Sequence, residues 1–145
     1  MFKIEYKIIQ ERFKGIEIIS EEEIQYNFIL GNLVLFSSEV KIDMEWEWIP
    51  LLDFAYCLKR IASNLQTSDI SREYFEFTEN AETLEFLREG EQVRISTSFS
   101  SAIIATTLTE FGVAIDGFHF AISEYIRSNI PNPPTKALQK YLFNT

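Results

Sequence analysis

Val40-Lys41-Ile42-Asp43-Met44-Glu45-Trp46-Glu47-Trp48 alternates apolar and charged residues without a break. That is the period of a strand with one buried face. Val40, Ile42, Met44, Trp46 and Trp48 then point inward, and Lys41, Asp43, Glu45 and Glu47 point to solvent. A one-residue slip would put two Trp in water and three carboxylates in the core, so the register is strongly specified.

Upstream of this strand the pattern is again extended. Phe2, Ile4, Tyr6 and Ile8 alternate with Lys3, Glu5 and Lys7. Phe13, Ile16 and Ile18 read as a second strand bulged at Gly15, and residues 24–30 as a third. Gly31-Asn32 suits the tight turn of a hairpin, with Leu33 to Phe36 returning. Downstream, Pro50 opens a helix through residue 65, with Leu51, Ala55, Leu58, Ala62 and Leu65 on one stripe. Asp53 near its start and Lys59-Arg60 further along suit the helix dipole.

The second half follows the same plan. Arg72 to Phe77 is extended, Thr78 to Glu82 turns, and residues 84–87 and 92–95 form a hairpin about Gly90. Ala102 to Leu108 is a further strand. Thr107-Leu108-Thr109-Glu110 is a capping-box pattern that opens a second helix over 109–129. Phe111, Ile115, Phe118 and Ile122 line its apolar stripe. Pro131, Pro133 and Pro134 stop it, and Lys136 to Phe143 forms a short C-terminal helix. The expected fold is α+β: a mainly antiparallel, strongly bent sheet packed by two amphipathic helices, in one domain over residues 1–145. The two helical stripes share the offsets 0, 4, 7 and 11, as any two amphipathic helices do.

The 145 residues are 46% apolar and 14% aromatic, enough for a packed core. The formal charge is −9, from 13 basic and 22 acidic residues. It is uneven: residues 73–91 hold seven glutamates against Arg88, a local balance of −6. Such a surface repels nucleic acid and anionic lipid and attracts cations. The N-terminal segment lacks the apolar core of a signal peptide. The longest apolar stretch, Phe28 to Phe36, is too short to span a bilayer. Together with a single cysteine, which forms no internal disulfide, these point to the cytoplasm.

The residues that carry chemistry are few. His119 is the only histidine, and Asp116, His119 and Ser123 share one helix face. Three residues on one straight helix do not build a triad, whose members come from separate elements around an oxyanion site. One His and one Cys rule out the common zinc motifs. Alternate strand residues lie about 6.5–7 Å apart, too far for Asp43, Glu45 and Glu47 to share one ion. No phosphate loop, dinucleotide fingerprint or nucleophile elbow is present. The reading is therefore a non-enzymatic protein with no catalytic residue, no metal and no cofactor.

What remains is acidic surface: the row Asp43, Glu45 and Glu47, and the glutamate-rich segment with Glu79 and Glu82. These five are the candidate contacts for a cationic protein partner, with neither nucleic acid nor membrane as target. In length, acidity and strands-then-helix order the whole chain resembles the small acidic α+β immunity proteins that bacteria encode beside polymorphic toxins. The resemblance implies neutralisation of a basic toxin domain by direct binding, and it carries no individual residue across. The alternative is a homo-oligomeric (a homodimer among the options) or small-ligand-binding bacterial domain of unknown role, with a pocket between sheet and helices lined by Phe and Trp.

Overall fold

The strands pair in two antiparallel meanders. The computed structural model describes residues 1–130 and 132–143, apart from the side chain of Phe143. The first sheet is β1 (Phe2–Glu11), β2 (Ile29–Ser37) and β3 (Val40–Pro50), in that spatial order. The second is β4 (Ile70–Glu76), β5 (Thr83–Glu89), β6 (Gln92–Thr97) and β7 (Ile104–Thr107). The two sheets meet where the Ser37 hydroxyl donates to the Ala105 carbonyl at 3.0 Å. The fold is α+β, with the expected antiparallel pairing divided between two open sheets.

Each sheet ends by running straight into a helix. Pro50 is both the last residue of β3 and the N-cap of α2 (Leu51–Leu65). Thr107 ends β7 and caps α3 (Leu108–Asn129), its hydroxyl accepting from the Glu110 amide at 3.1 Å. A short helix, α4 (Lys136–Phe143), closes the described chain. No helix among the described residues is long and apolar enough to cross a membrane.

The inner faces of both sheets and the stripes of α2 and α3 share one hydrophobic cluster. Aromatic contacts cross between the halves: Phe2 with Phe111 at 5.9 Å, Tyr6 with Phe118 at 5.5 Å and Phe54 with Phe118 at 6.4 Å between ring centroids. Arg88, the lone base of the acidic segment, is only 7% exposed. Its guanidinium donates to the carbonyls of Leu65, the last residue of α2, at 2.9 Å and of Ser68, in the turn beyond, at 3.1 Å.

Four expectations from sequence need correction, and all lie in the first half. Residues 13–18 hold no strand: Gly15 has a left-handed φ of 78° and opens a single 3₁₀ turn, Ile16–Ile18. Residues 24–30 divide between a helix, α1 (Glu21–Tyr26), and the start of β2. Ser20 and Glu23 form a reciprocal capping box there, and three glutamates fill its first turn, where the dipole favours them. Gly31-Asn32 is no turn either. It lies inside β2, and the reversal comes at Ser38-Glu39, with Ser38 at φ 48°.

The fourth correction concerns the defining strand. β3 is regular only as far as Met44. Leu33 pairs with Met44 and Gly31 with Ile49, so two steps along β2 face five along β3. The surplus residues form a wide bulge, with Glu47 at φ 69° and its amide donating to Asn32 Oδ1 at 2.7 Å. Trp46 is therefore half-buried rather than sealed in the core. It stacks on Trp48 at 5.5 Å and meets Phe77 and Phe99 edge-on at 5.0 and 4.9 Å.

The register of β1 breaks opposite the same glycine: Ile8 pairs with Gly31 and Gln10 with Leu30, leaving Ile9 as an extra residue. A methyl on Gly31 would overlap the Lys7 carbonyl oxygen and meet Leu51 Cδ1 at 3.0 Å. Gly31 is thus required by close approach of neighbouring backbone. Gly31→Ala should cost at least about 2–3 kcal/mol in chemical denaturation, because the obstacle is main chain and not a flexible side chain. A loss below about 1 kcal/mol would show that β1 shifts freely away from β2.

Candidate functional site

The bulge in β3 and its direct run into α2 place one side of the molecule around a cleft of about 190 Å³. Five segments build it. The first turns of α2 supply Asp53, Tyr56, Cys57 and Arg60, which recur at helical spacing opposite the buried stripe. The bulge and its end supply Trp48 and Pro50, and α1 supplies Glu21, Gln25 and Tyr26. The end of β4 and its following turn supply Phe75 to Thr78, and α4 supplies Lys140 and Tyr141.

Asp53 is the centre of the hydrogen bonding. The Tyr141 hydroxyl donates to Asp53 Oδ1 at 3.0 Å and accepts from Gln25 Nε2 at 3.5 Å. The Cys57 thiol faces Asp53 Oδ2 at 3.9 Å. Burial raises the Asp53 carboxyl above its ordinary value, against the lowering effects of the Tyr141 hydroxyl and Arg60. Burial and the neighbouring Asp53 charge push the Cys57 thiol up to about 12. Cys57 therefore keeps its proton at neutral pH and offers no thiolate nucleophile.

A carbonyl clamp holds α4 against this arrangement. His119, only 5% exposed, bonds through Nε2 to the Tyr141 carbonyl at 2.7 Å, so that nitrogen carries the proton. Ser123 Oγ donates to the Leu142 carbonyl at 3.4 Å. Burial lowers the His119 pKa, which keeps the ring neutral. The helix face bearing Asp116, His119 and Ser123 thus serves as the seat of α4. A wider, shallower groove of about 580 Å³ lies over this seat. Its charges are already matched, Lys59 with Asp116 at 3.4 Å and Arg127 with Glu124 at 2.6 Å.

The five acidic residues expected from sequence part company. Asp43 and Glu45 are exposed on the outer face of the first sheet, where Lys41 pairs with Asp43 at 3.5 Å. Lys3, Glu5 and Lys7 alternate along β1 on that same exposed face. The carboxylate row is therefore interleaved with lysines across the strands. Glu47 and Glu79 are exposed and stand one residue from Trp48 and Thr78 of the cleft. Glu82 is half-buried and accepts from Ser98 at 2.7 Å, beside the Phe99 that touches Trp46.

Sequence reasoning passed over Asp53, Glu21, Lys140 and Tyr141 as site residues. The stripe Asp53-Tyr56-Cys57-Arg60 is readable as the polar side of an amphipathic helix, but its meeting with α1 and α4 is set by tertiary packing. Among the described residues no group of three His, Cys, Asp or Glu is placed to hold a metal ion. Comparison with known protein families, with characterised proteins and with solved structures finds no match for this chain.

The raised Asp53 pKa fixes the sign of a stability effect. The folded protein keeps a proton on Asp53 at a pH where the unfolded chain, near its ordinary 3.8, has lost it. That stabilisation is complete below the unfolded value and is lost as pH rises through the folded one, so at pH 7 the carboxylate is a net burden. Asp53→Asn keeps an oxygen for the Tyr141 hydroxyl and removes the charge. It should raise the denaturation midpoint at pH 7, with the advantage disappearing near pH 3–4. A lower midpoint at pH 7 would mean that the helix terminus and Arg60 outweigh desolvation.

Proposed function

We propose that this protein is a non-enzymatic binding module whose cationic protein partner docks on the face that carries the cleft. The observation behind the reading is Asp53: a carboxylate held at an electrostatic cost, in an open cleft walled by Trp48, Tyr56, Phe75, Phe77 and Tyr141. Perturbed ionisable groups cluster at functional sites, which makes a desolvated carboxylate in a cleft a candidate contact. Glu21 and Glu76 add two more carboxylates to the lining, and Glu47 and Glu79 extend the same sign along the rim.

At this cleft, size favours the docking reading over its small-ligand rival. Pockets for small molecules commonly hold about 300–1,000 Å³. A cleft of about 190 Å³ suits single side chains presented by a larger surface. Aromatic walls with carboxylates between them favour lysine and arginine, which combine an apolar stem with a charged end. The resemblance to immunity proteins makes a basic toxin domain the first partner class to try.

The test compares two variants against a partner captured from the source organism. Asp53→Asn with Glu76→Gln should slow association and weaken binding at least tenfold at low salt, with the loss shrinking as salt screens the attraction. Asp43→Asn with Glu45→Gln should change the association rate less than twofold, because the nearby lysines already offset those charges. Binding that ignores the first pair and follows the second would move the docking surface to the first sheet.

A further inference from the structure

The cleft already contains an ammonium group, and the protein supplies it. Lys140, on the exposed side of α4, lies with its Nζ 2.7 Å from Glu21 Oε1. The same nitrogen sits 5.6 Å from the centroid of the Tyr56 ring and 5.8 Å from that of Tyr141. The two rings are themselves in contact, at 4.6 Å between centroids, so they form a continuous aromatic wall. One carboxylate with two ring faces is the arrangement that recognises alkylammonium ions.

The backbone positions of this cradle, and the Tyr141 ring, are set independently of Lys140. Tyr141 is only 2% exposed, its hydroxyl bonded to Asp53 and its carbonyl to His119. Tyr56 is borne by α2, and Glu21 stands in the first turn of α1, whose capping box fixes that terminus. The lysine itself is loosely held. Its side chain is 49% exposed, and its carboxylate partner 48%. A pair so open to water gains little over its separated, hydrated state. The Tyr141 side of the cradle is therefore held by the fold, and the occupant is exchangeable.

We propose that Lys140 is the resident occupant of an alkylammonium site at the mouth of the cleft, and that a lysine from the partner takes its place on binding. This rests on the reading of the cleft as a docking site for a cationic protein. It goes further by naming the group recognised, a primary ammonium on an apolar stem, and the residues that receive it: Glu21, Tyr56 and Tyr141. Lys140 then acts as a filter. It occupies the cradle against free ammonium ions, and only a ligand that gains further contacts along the cleft displaces it.

The experiment empties the cradle. Lys140→Ala is titrated with n-butylammonium chloride, with potassium chloride added to the reference at equal ionic strength, and ring resonances of Tyr56 and Tyr141 are followed. The variant should show saturable shifts with a dissociation constant at least tenfold below that of the wild type. Lys140→Met, which refills the space without charge, should bind no better than wild type. Adding Glu21→Gln to Lys140→Ala should abolish saturation. Equal response of wild type and Lys140→Ala, or undiminished saturation in the double variant, overturns the proposal. No partner protein enters this titration, and the variants at Asp53 and Glu76 leave Glu21 and Lys140 untouched. Failure of the cradle is thereby distinguished from failure of the docking reading.

Discussion

The approach of two backbones at Gly31 governs much of this structure. No side chain fits between β2 and the Lys7 carbonyl, and both registers of the first sheet break around that point. On one side β1 accommodates Ile9. On the other, β3 expels the bulge that carries Trp46 and Trp48 away from the regular inner face. Asn32, the next residue, anchors that bulge by accepting from the Glu47 amide. Pro50 then turns the chain into α2 with no loop. The direction of that helix sets where Asp53, Tyr56 and Arg60 stand. A glycine chosen for lack of volume thus determines, through a bulge and a helix start, the wall of the cleft.

Two local forces oppose each other at Asp53. A carboxylate in the first turn of a helix ordinarily benefits from the dipole. Here burial reverses the balance and raises its pKa. The surrounding bonds relieve this state only in part: Gln25 donates to the Tyr141 hydroxyl, which donates to Asp53, and α4 is clamped through His119 and Ser123 so that Tyr141 stays in place. A protein gains nothing in folding by holding a charge in this way. In the proposed docking, the arrival of a cation turns the desolvation already incurred into preorganisation.

Much of this fold is legible in the sequence because the second half obeys local rules. The hairpin about Gly90 has a glycine at φ 63°, and Thr107 caps its helix through its hydroxyl, half of the Thr-x-x-Glu box, while Glu110 turns to the Met1 amine. In the first half local signals compete. Ser20 and Glu23 announce a helix, while Ile24, Tyr26 and Phe28 alternate like a strand, and the cap prevails because it satisfies free amides at once. Gly31-Asn32 has the composition of a turn and is used for close approach. The alternation through Trp48 is real in sequence but broken in space, since period-two reasoning has no means of registering surplus residues opposite a glycine. The cleft was still less legible. Glu21 and Lys140 are separated by 119 residues, and nothing in either neighbourhood marks the other.

Net charge acquires meaning only when it is localised. The chain carries −9, yet the outer face of the first sheet sets Lys3, Lys7 and Lys41 among Glu5, Asp43 and Glu45. At physiological ionic strength charges act over about 8 Å, so such a face presents little field to an approaching protein. The lining of the cleft differs in kind. Arg60 and Lys140 stand against Glu21, Asp53 and Glu76, and Lys140 is bound to Glu21 by a contact open to water. Release of that one side chain leaves three carboxylates against one guanidinium, within a wall of aromatic rings. In the proposed exchange, the attraction for a cation is strongest at the moment the resident lysine leaves, which would couple its departure to the arrival of another.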